Sequence, residues 1–337
     1  MNISTTCKHE DIDINSWRLL LDKSGYSNFF HTPEAFHFFE SVKGHTPLIT
    51  ACIDQNNQVE ALLIGALQKE KGIKEKFTSR IIIYGGPLIN ENHPETEILL
   101  DKLLKAFVKE HAGKAIYLEI RCLHDYSFWN HVFENNKWIY SPHLNLRVDC
   151  SDLEQMKERM SASKLRQINK SIKAGAYIID PRSEEDIISF YSLLSKLYKI
   201  KIKTPLPNPD FFIELYKSSL AKFLLIDYKN TIIGGIVCPV LKNKTIYEWY
   251  VCGKDGKYEN VYPGVLATWA AMQYANKNNI RVFDFMGAGK PGEDYGVREF
   301  KSKFGGELVE YGRYIYVSKP QLYKLGKLGV KVLKKLS

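Results

Sequence analysis

Hydrophobic and polar positions follow two rhythms along this chain. From Glu95 to His111 the apolar residues recur every three or four positions, the spacing of one buried helix face. A short helix around Trp17–Leu21 and longer ones over 32–42, 128–138, 183–200, 210–219 and 264–279 show the same rhythm. Thr32 and Ser183 stand where caps belong, and Pro33 suits a first helical position. Runs rich in β-branched and aliphatic residues predict strands at 47–54, 59–68, 80–89, 115–121 and 143–150. The segment 153–175 reads as one helix closed by Gly175. A strand meander covers 221–253 with a turn at Lys229-Asn230, and strands at 280–287 and 307–318 come after the next helix. Each half thus runs as helices, a meander, a helix and further strands, which predicts a repeated element order with its boundary near Cys150–Ser151.

Composition narrows the class. A chain of 337 residues suits two cores better than one. Its 45% hydrophobic and 12% aromatic content is that of a folded protein. The net charge of +9 favours an anionic partner without choosing among nucleotide, RNA and membrane. Six cysteines at 7, 52, 122, 150, 238 and 252 form no C-x-x-C pair and no metal spacing, so free thiols and no metal are expected. No apolar run approaches a bilayer span of about 20 residues, and the first residues lack a signal-peptide pattern. A cytoplasmic chain is the expectation.

The stretch FDFMGAGKPGEDYGVREFKSKFGG contains a literal G-x-G-x-x-G at Gly287, Gly289 and Gly292. A dinucleotide loop needs a strand, the glycines and then a long helix whose amides face pyrophosphate. Here Pro291 removes an amide, Glu293 and Asp294 repel phosphate, and glycines break the segment after them. A phosphate loop also fails, because Lys290 precedes proline. A tight turn after a strand explains the glycines without a ligand.

Four ordered segments carry a more specific signal: YEWYVCG (247–253), YPGVLATWAAMQYANKNN (262–279), FDFMGAG (283–289) and GVREFKSKFGGELVEYGRYIYV (296–317). They resemble the FemA/FemB/FemX peptidoglycan-bridge aminoacyltransferases. Looser likeness covers FFHTPEAFHFF (29–39), YGGPL (84–88) and SKLRQINKSIKAG (163–175). The resemblance implies an α/β (α+β) fold of two tandem GNAT-like domains, each a mixed, mainly antiparallel sheet flanked by helices. They are expected at 1–150 and 151–317, followed by a basic amphipathic helix at 318–337. It also implies transfer of an amino acid from aminoacyl-tRNA to an amine of a peptidoglycan or other envelope precursor, without a cofactor. An acyl-CoA-dependent N-acyltransferase of envelope sugars or lipids is the second reading, and a non-catalytic binding protein of the same fold is the third. The segment KYENVYPGVLA lacks the glycine run that CoA-using relatives of the fold place before this helix.

Acyl transfer to an amine needs a deprotonated nucleophile and a stabilised oxyanion. Lys301 matches the family's functional Phe-Lys pair, with Phe300 positioning it. All nine histidines lie at or before His143, so the second half holds no Ser-His or Cys-His pair of its own. Asp284 is a candidate proton acceptor or a cap for the Gly287 turn. On an unbroken strand Tyr247 and Trp249 share one face, with Glu248 and Tyr250 on the other, and Tyr250 is the first choice to line a cleft. Lys199, Lys201 and Lys203 are candidates for precursor phosphates, and Lys43 for the same role from the first half. Arg298 is a further substrate-binding candidate. The basic segment 164–173 suits RNA phosphates or plain solvent.

The tail from Ser318 contains no acid. Leu322, Leu325, Leu328, Val332 and Leu336 form an apolar stripe, with Lys324, Lys327, Lys331, Lys334 and Lys335 around it. Such a helix fits the inner face of an anionic membrane or the protein's own body. A monomer is expected.

Overall fold

The computed structural model describes residues 3–69 and 78–327. It divides into two compact units, Met1–Pro142 with Tyr311–Ser337, and His143–Glu310. The chain therefore crosses between units at 142/143 and again at 310/311, where the sequence suggested one crossing near 150.

The first unit holds strands β1 (Ser4–Thr6), β2 (His45–Ile53), β3 (Val59–Gln68), β4 (Arg80–Gly85), β5 (Leu88–Ile89), β6 (Tyr117–Cys122) and β7 (Ile139–Ser141). The second holds β8 (Leu144–Asp149), β9 (Ala176–Ile179), β10 (Ala221–Tyr228), β11 (Thr231–Leu241), β12 (Thr245–Tyr247), β13 (Tyr250–Gly253), β14 (Val282–Asp284) and β15 (Glu307–Glu310). A last strand, β16 (Arg313–Val317), returns to the first unit. Among the described residues the first sheet runs β1-β2-β3-β4-β6-β16-β7, with β5 beside β3. The second runs β15-β8-β14-β12-β11-β10-β9, with β13 beside β11. Each contains one parallel pair, β4–β6 in the first and β12–β14 in the second.

Each sheet is covered by a helix that the sequence announces. Helix Thr96–His111 buries Leu99, Leu100, Leu103, Leu104 and Phe107 on one stripe against the first sheet. Helix Pro263–Lys277 is buried on nearly every side from Pro263 to Met272. Its alanines at 267, 270, 271 and 275 let it lie close to the second sheet. In the first unit Thr32 caps its helix as expected, its side chain accepting from the Ala35 amide at 3.1 Å, with Pro33 in the first turn.

Several expectations change. The helix read over 153–175 is two, Leu153–Arg159 and Ala162–Lys173, because Asp152 and Ser161 each cap a separate start. Ser183 makes no side-chain cap. The single strand read over 307–318 is β15 and β16 in different sheets. The chain turns at Gly312, with φ of 69°, where a side chain would collide with the Tyr140 ring.

No helix among the described residues is long and apolar enough to cross a membrane. Residues 320–327 are helical. Tyr323 lies against Tyr117, with ring centroids 5.3 Å apart, while Leu325 is exposed. Leu328, Val332, Leu336, Lys331, Lys334 and Lys335 lie outside the described residues.

Candidate active site

The site begins where a strand breaks. β12 pairs with β14 through Tyr247 and Asp284, and the Glu248 amide donates to the Asp284 carbonyl at 2.8 Å. After that bond the chain leaves β14. The Trp249 amide turns to the Val237 carbonyl at 3.1 Å, and β13 continues beside β11 alone. The break corrects the simple alternation. Tyr247 is buried, whereas Trp249 and Tyr250 are both half-buried, with ring centroids 5.4 Å apart. Phe211 lies 5.3 Å from Trp249, and Phe212 lies 5.0 Å from Tyr250. Tyr198 adds a ring 6.3 Å from Tyr250. Two consecutive aromatics therefore form one wall, which a regular strand does not allow.

Beyond β14 the chain enters the glycine stretch. Asp284 is buried, and its Oδ1 accepts from the Met286 amide at 2.7 Å and from Asn145 Nδ2 at 2.8 Å. Asn145 Oδ1 accepts from the Gly287 amide at 2.7 Å. This clasp holds a turn in which Met286 has φ of 53° and Gly287 of 132°. Arg147 lies 3.5 Å from Asp284 Oδ2. Burial raises the Asp284 carboxyl, and Asn145, Arg147 and the Met286 amide pull it back. Gly289, at φ of 79°, faces the Tyr295 ring where a side chain would sit. The next helix, Gly296–Ser302, is too short for a dinucleotide crossover. The glycines serve the turn.

Lys301 reaches back from that helix into the turn. Its ammonium donates to the Phe285 carbonyl at 2.8 Å and to the Gly287 carbonyl at 2.9 Å. Its third partner is Glu248 Oε1 at 3.0 Å. All three ammonium protons therefore have acceptors. The pair is nearly dry, with 12% of the Lys301 side chain exposed and 4% of Glu248. Burial raises the Glu248 carboxyl and Lys301 pulls it back. Among the described residues Glu248 Oε2 is buried with no hydrogen-bond partner of good geometry, although the Thr268 hydroxyl also helps to lower this carboxyl. A buried charge pair of this kind costs several kcal/mol to break from one side, so it ties the loop to the strand break.

Phe300, half-buried, supports the next layer. The Lys164 ammonium lies 3.7 Å from its ring centroid and 5.2 Å from that of Phe304. Burial lowers Lys164 to about 8. Arg298 braces the glycine loop, donating to the Ala288 carbonyl at 2.8 Å and to the Lys290 carbonyl. Lys199 and Lys201 lie exposed in a single π-helical turn, Tyr198–Ile202, and Lys203 comes next with φ of 56°. Lys43 is exposed in the first unit, before β2. The structure thus brings Lys301 and Asp284 to one turn, with Phe300 beside it and Trp249 and Tyr250 on the adjoining strand. The lysines at 199–203 stand on a neighbouring surface. Glu248, to which sequence reasoning gave no role, and Lys164, read only as part of a basic segment for RNA phosphates or solvent, lie beside the site. Their signals were a lone acid in an aromatic strand, and a lysine four residues before the buried Ile168 on the same helix face.

The fold is that of tandem GNAT proteins, and the segment that builds the site carries a family pattern. Residues 227–331 match the model of the FemAB family. The crystal structure of FemX superposes with a TM-score of 0.71 at 12% identity, covering 96% of this chain and 99% of that one. The C-terminal domain of a putative lysylphosphatidylglycerol synthetase from Agrobacterium fabrum gives 0.59 at 14% identity, covering 96% of each chain. A tandem GNAT protein from the clavulanic acid pathway gives 0.59 at 8% identity, covering 94% of this chain and 99% of that one. No curated protein sequence matches.

Proposed function

We propose that this chain is an N-acyltransferase that moves an amino acid from aminoacyl-tRNA to an amine of a peptidoglycan or lipid-linked envelope precursor. One observation carries the reading. The segment matching the FemAB family contains both the strand break and the dry Glu248–Lys301 pair. In the reaction the acceptor ammonium first gives up a proton to bulk water. Its nitrogen forms a C–N bond to the ester carbonyl, the C–O bond to the tRNA ribose breaks, and a proton ends on the released hydroxyl. Negative charge develops on the carbonyl oxygen. Lys301 meets it by exchanging one of its present acceptors, Phe285, Gly287 or Glu248, for the oxyanion. Phe300 keeps water from the lysine. Trp249 and Tyr250 wall the acyl group, and Tyr247 anchors that wall from the core. Asp284 acts through the turn it clasps. Lys199, Lys201 and Lys203 suit precursor phosphates, and Lys43, in the first unit by itself, is a separate candidate for a phosphate. Arg298 holds the loop to which the substrate comes. No bound cofactor takes part.

The reaction belongs in the cytoplasm, where charged tRNA is present. The tail suits the inner membrane face through Lys319, Lys324 and Lys327. Co-sedimentation with anionic vesicles at low salt should weaken when the chain is ended at Ser318, and equal recovery in the supernatant rules the contact out. The main test is mass spectrometry of nucleotide-linked and lipid-linked peptidoglycan precursors after incubation with charged tRNA or with acetyl-CoA. An aminoacyl mass increment with tRNA is expected. An acetyl increment transfers the reading to a CoA-dependent enzyme, and no increment with either donor favours a binding protein.

A further inference from the structure

The start of helix Pro263–Lys277 is built for close approach. A side chain at Gly253 would come within 2.3 Å of the Gly264 nitrogen, and one at Gly234 within 2.8 Å of Pro263 Cβ. Glycines thus set the ends of β11 and β13 against the first turn of the helix. Such a helix start is ready to hold an anion, because its first amides lack partners within the helix and carry the positive end of its dipole.

Here the protein supplies the anion itself. Asp255 stands on the turn after β13, and its carboxylate folds back so that Oδ1 accepts from the Gly264 amide at 3.1 Å. Oδ2 fills the space that a Gly264 side chain would need, at 2.6 Å. Pro263 has no amide hydrogen, so the carboxylate takes one of the few donors this end offers. Two cations serve it. Enclosure raises the Asp255 carboxyl, while the Gly264 amide, Lys164 and Lys201 pull it down. Lys164 is 95% buried by area, and among the described residues its ammonium has no hydrogen-bond or ion-pair partner, only the Phe300 and Phe304 rings. The anion it attracts is the Asp255 carboxylate, so the charge of one group favours that of the other.

We propose that Asp255 is a built-in plug for the anion seat between the helix start and Lys164, and that it decides the donor class by turning away acyl donors that carry a pyrophosphate. The proposal rests on the acyltransferase reading and names what its donor lacks. An incoming pyrophosphate would meet a carboxylate at hydrogen-bonding range in place of an amide. An ester donor whose acyl end carries no pyrophosphate meets no such repulsion. Removing the carboxylate leaves Lys164, Lys201 and the helix start to bind a phosphate.

Calorimetry with coenzyme A and with inorganic pyrophosphate tests this on the full chain. Asp255→Asn keeps a cap acceptor and removes the charge, and Asp255→Gly removes both, so at least one variant should fold by circular dichroism. The wild type should show no saturable binding. The variants should bind at least tenfold more tightly than the wild type, and Asp255→Asn/Lys164→Met should lose that gain. Saturable micromolar binding of coenzyme A by the wild type overturns the proposal. So does a folded pair of Asp255 variants that gains nothing. The measurement needs no turnover. If transfer fails with charged tRNA and with acetyl-CoA while Asp255→Asn gains pyrophosphate, the acyltransferase reading falls and the plugged seat stands.

Discussion

The two units solve the same problem with different chemistry. In each, the chain leaves a parallel strand pair through a turn with positive φ, and backbone carbonyls drop out of the ladder. In the first unit the turn is Gly85-Gly86, with φ of 91° and 92°. Tyr126 donates its hydroxyl to the carbonyls of Gly85 at 3.0 Å and Pro87 at 2.7 Å, and His31 Nε2 bonds that of Gly86 at 2.7 Å. Both side chains are fully buried. Burial lowers His31 to about 4, so it is neutral near pH 7. In the second unit the corresponding carbonyls, Phe285 and Gly287, are held by the Lys301 ammonium, which needs Glu248 to balance it. Neutral donors seal the first turn. A charged one, still partly open to solvent, holds the second. The first set of donors carries no charge, whereas the second is an ammonium paired with a carboxylate. On the proposed acyltransferase reading, the first turn is scaffold and the second carries the chemistry.

The largest effect should come from Lys301→Met. Transfer should fall by two to three orders of magnitude, the usual cost of about 3–4 kcal/mol for one oxyanion donor. Stability should also fall, by about 3–5 kcal/mol, because Glu248 is left as a buried unpaired charge. The double variant Glu248→Gln/Lys301→Met should recover most of the stability and none of the activity. Denaturant titration beside single-turnover assays separates the two losses, and a folded Lys301→Met enzyme with near-normal turnover would erase the contrast between the turns.

Next in size is an acid effect confined to the first unit. His31 takes up its proton more readily when unfolded, so stability should be intact above pH 6.5 and decline as pH falls toward 4, by about 3 kcal/mol in all. Hydrogen exchange of the Gly85–Leu88 amides in that window reads it directly. His31→Gln should flatten the dependence, and an unchanged profile in that variant would show that another group carries it.

Smaller changes should come from the aromatic wall. Trp249→Ala or Tyr250→Ala removes ring contacts worth about 1 kcal/mol, so KM for the donor should rise several-fold while kcat changes less. A kcat loss with KM unchanged would place these rings in chemistry instead of binding. The alkaline counterpart of the His31 effect, similar in size, belongs to Lys164. Its lowered pKa means the folded state resists its charge, so the penalty should be present below pH 8 and fade between 8 and about 10.5. Lys164→Met should therefore be relatively more stable at pH 7 than at pH 10.5, and a constant stability difference across that range would contradict the assignment.

What could be read from the sequence was local. The Thr32 cap, the stripe from Leu99 to Phe107 and the turn glycines each obey rules that operate within a few residues. The FemAB resemblance over 247–317 pointed to Lys301 and the Asp284 turn. What escaped depends on distant partners. At the strand break after Glu248 the Trp249 and Tyr250 rings meet Phe211 and Phe212, roughly forty residues earlier in the chain, and no strand periodicity encodes that. β15 and β16 read as one strand because only Gly312, wedged against Tyr140, marks the change of sheet. Glu248 was hidden by the assumption of an unbroken strand. Asp255 was hidden because its partner amide lies nine residues ahead of it.

The most direct test of the central claim is single-turnover transfer from charged tRNA to a nucleotide-linked or lipid-linked peptidoglycan precursor, followed by mass spectrometry for the wild type and for Glu248→Gln/Lys301→Met matched in stability. The account predicts an aminoacyl amide product from the wild type and at least a hundredfold slower formation by the double variant. Equal rates from the two proteins would contradict it.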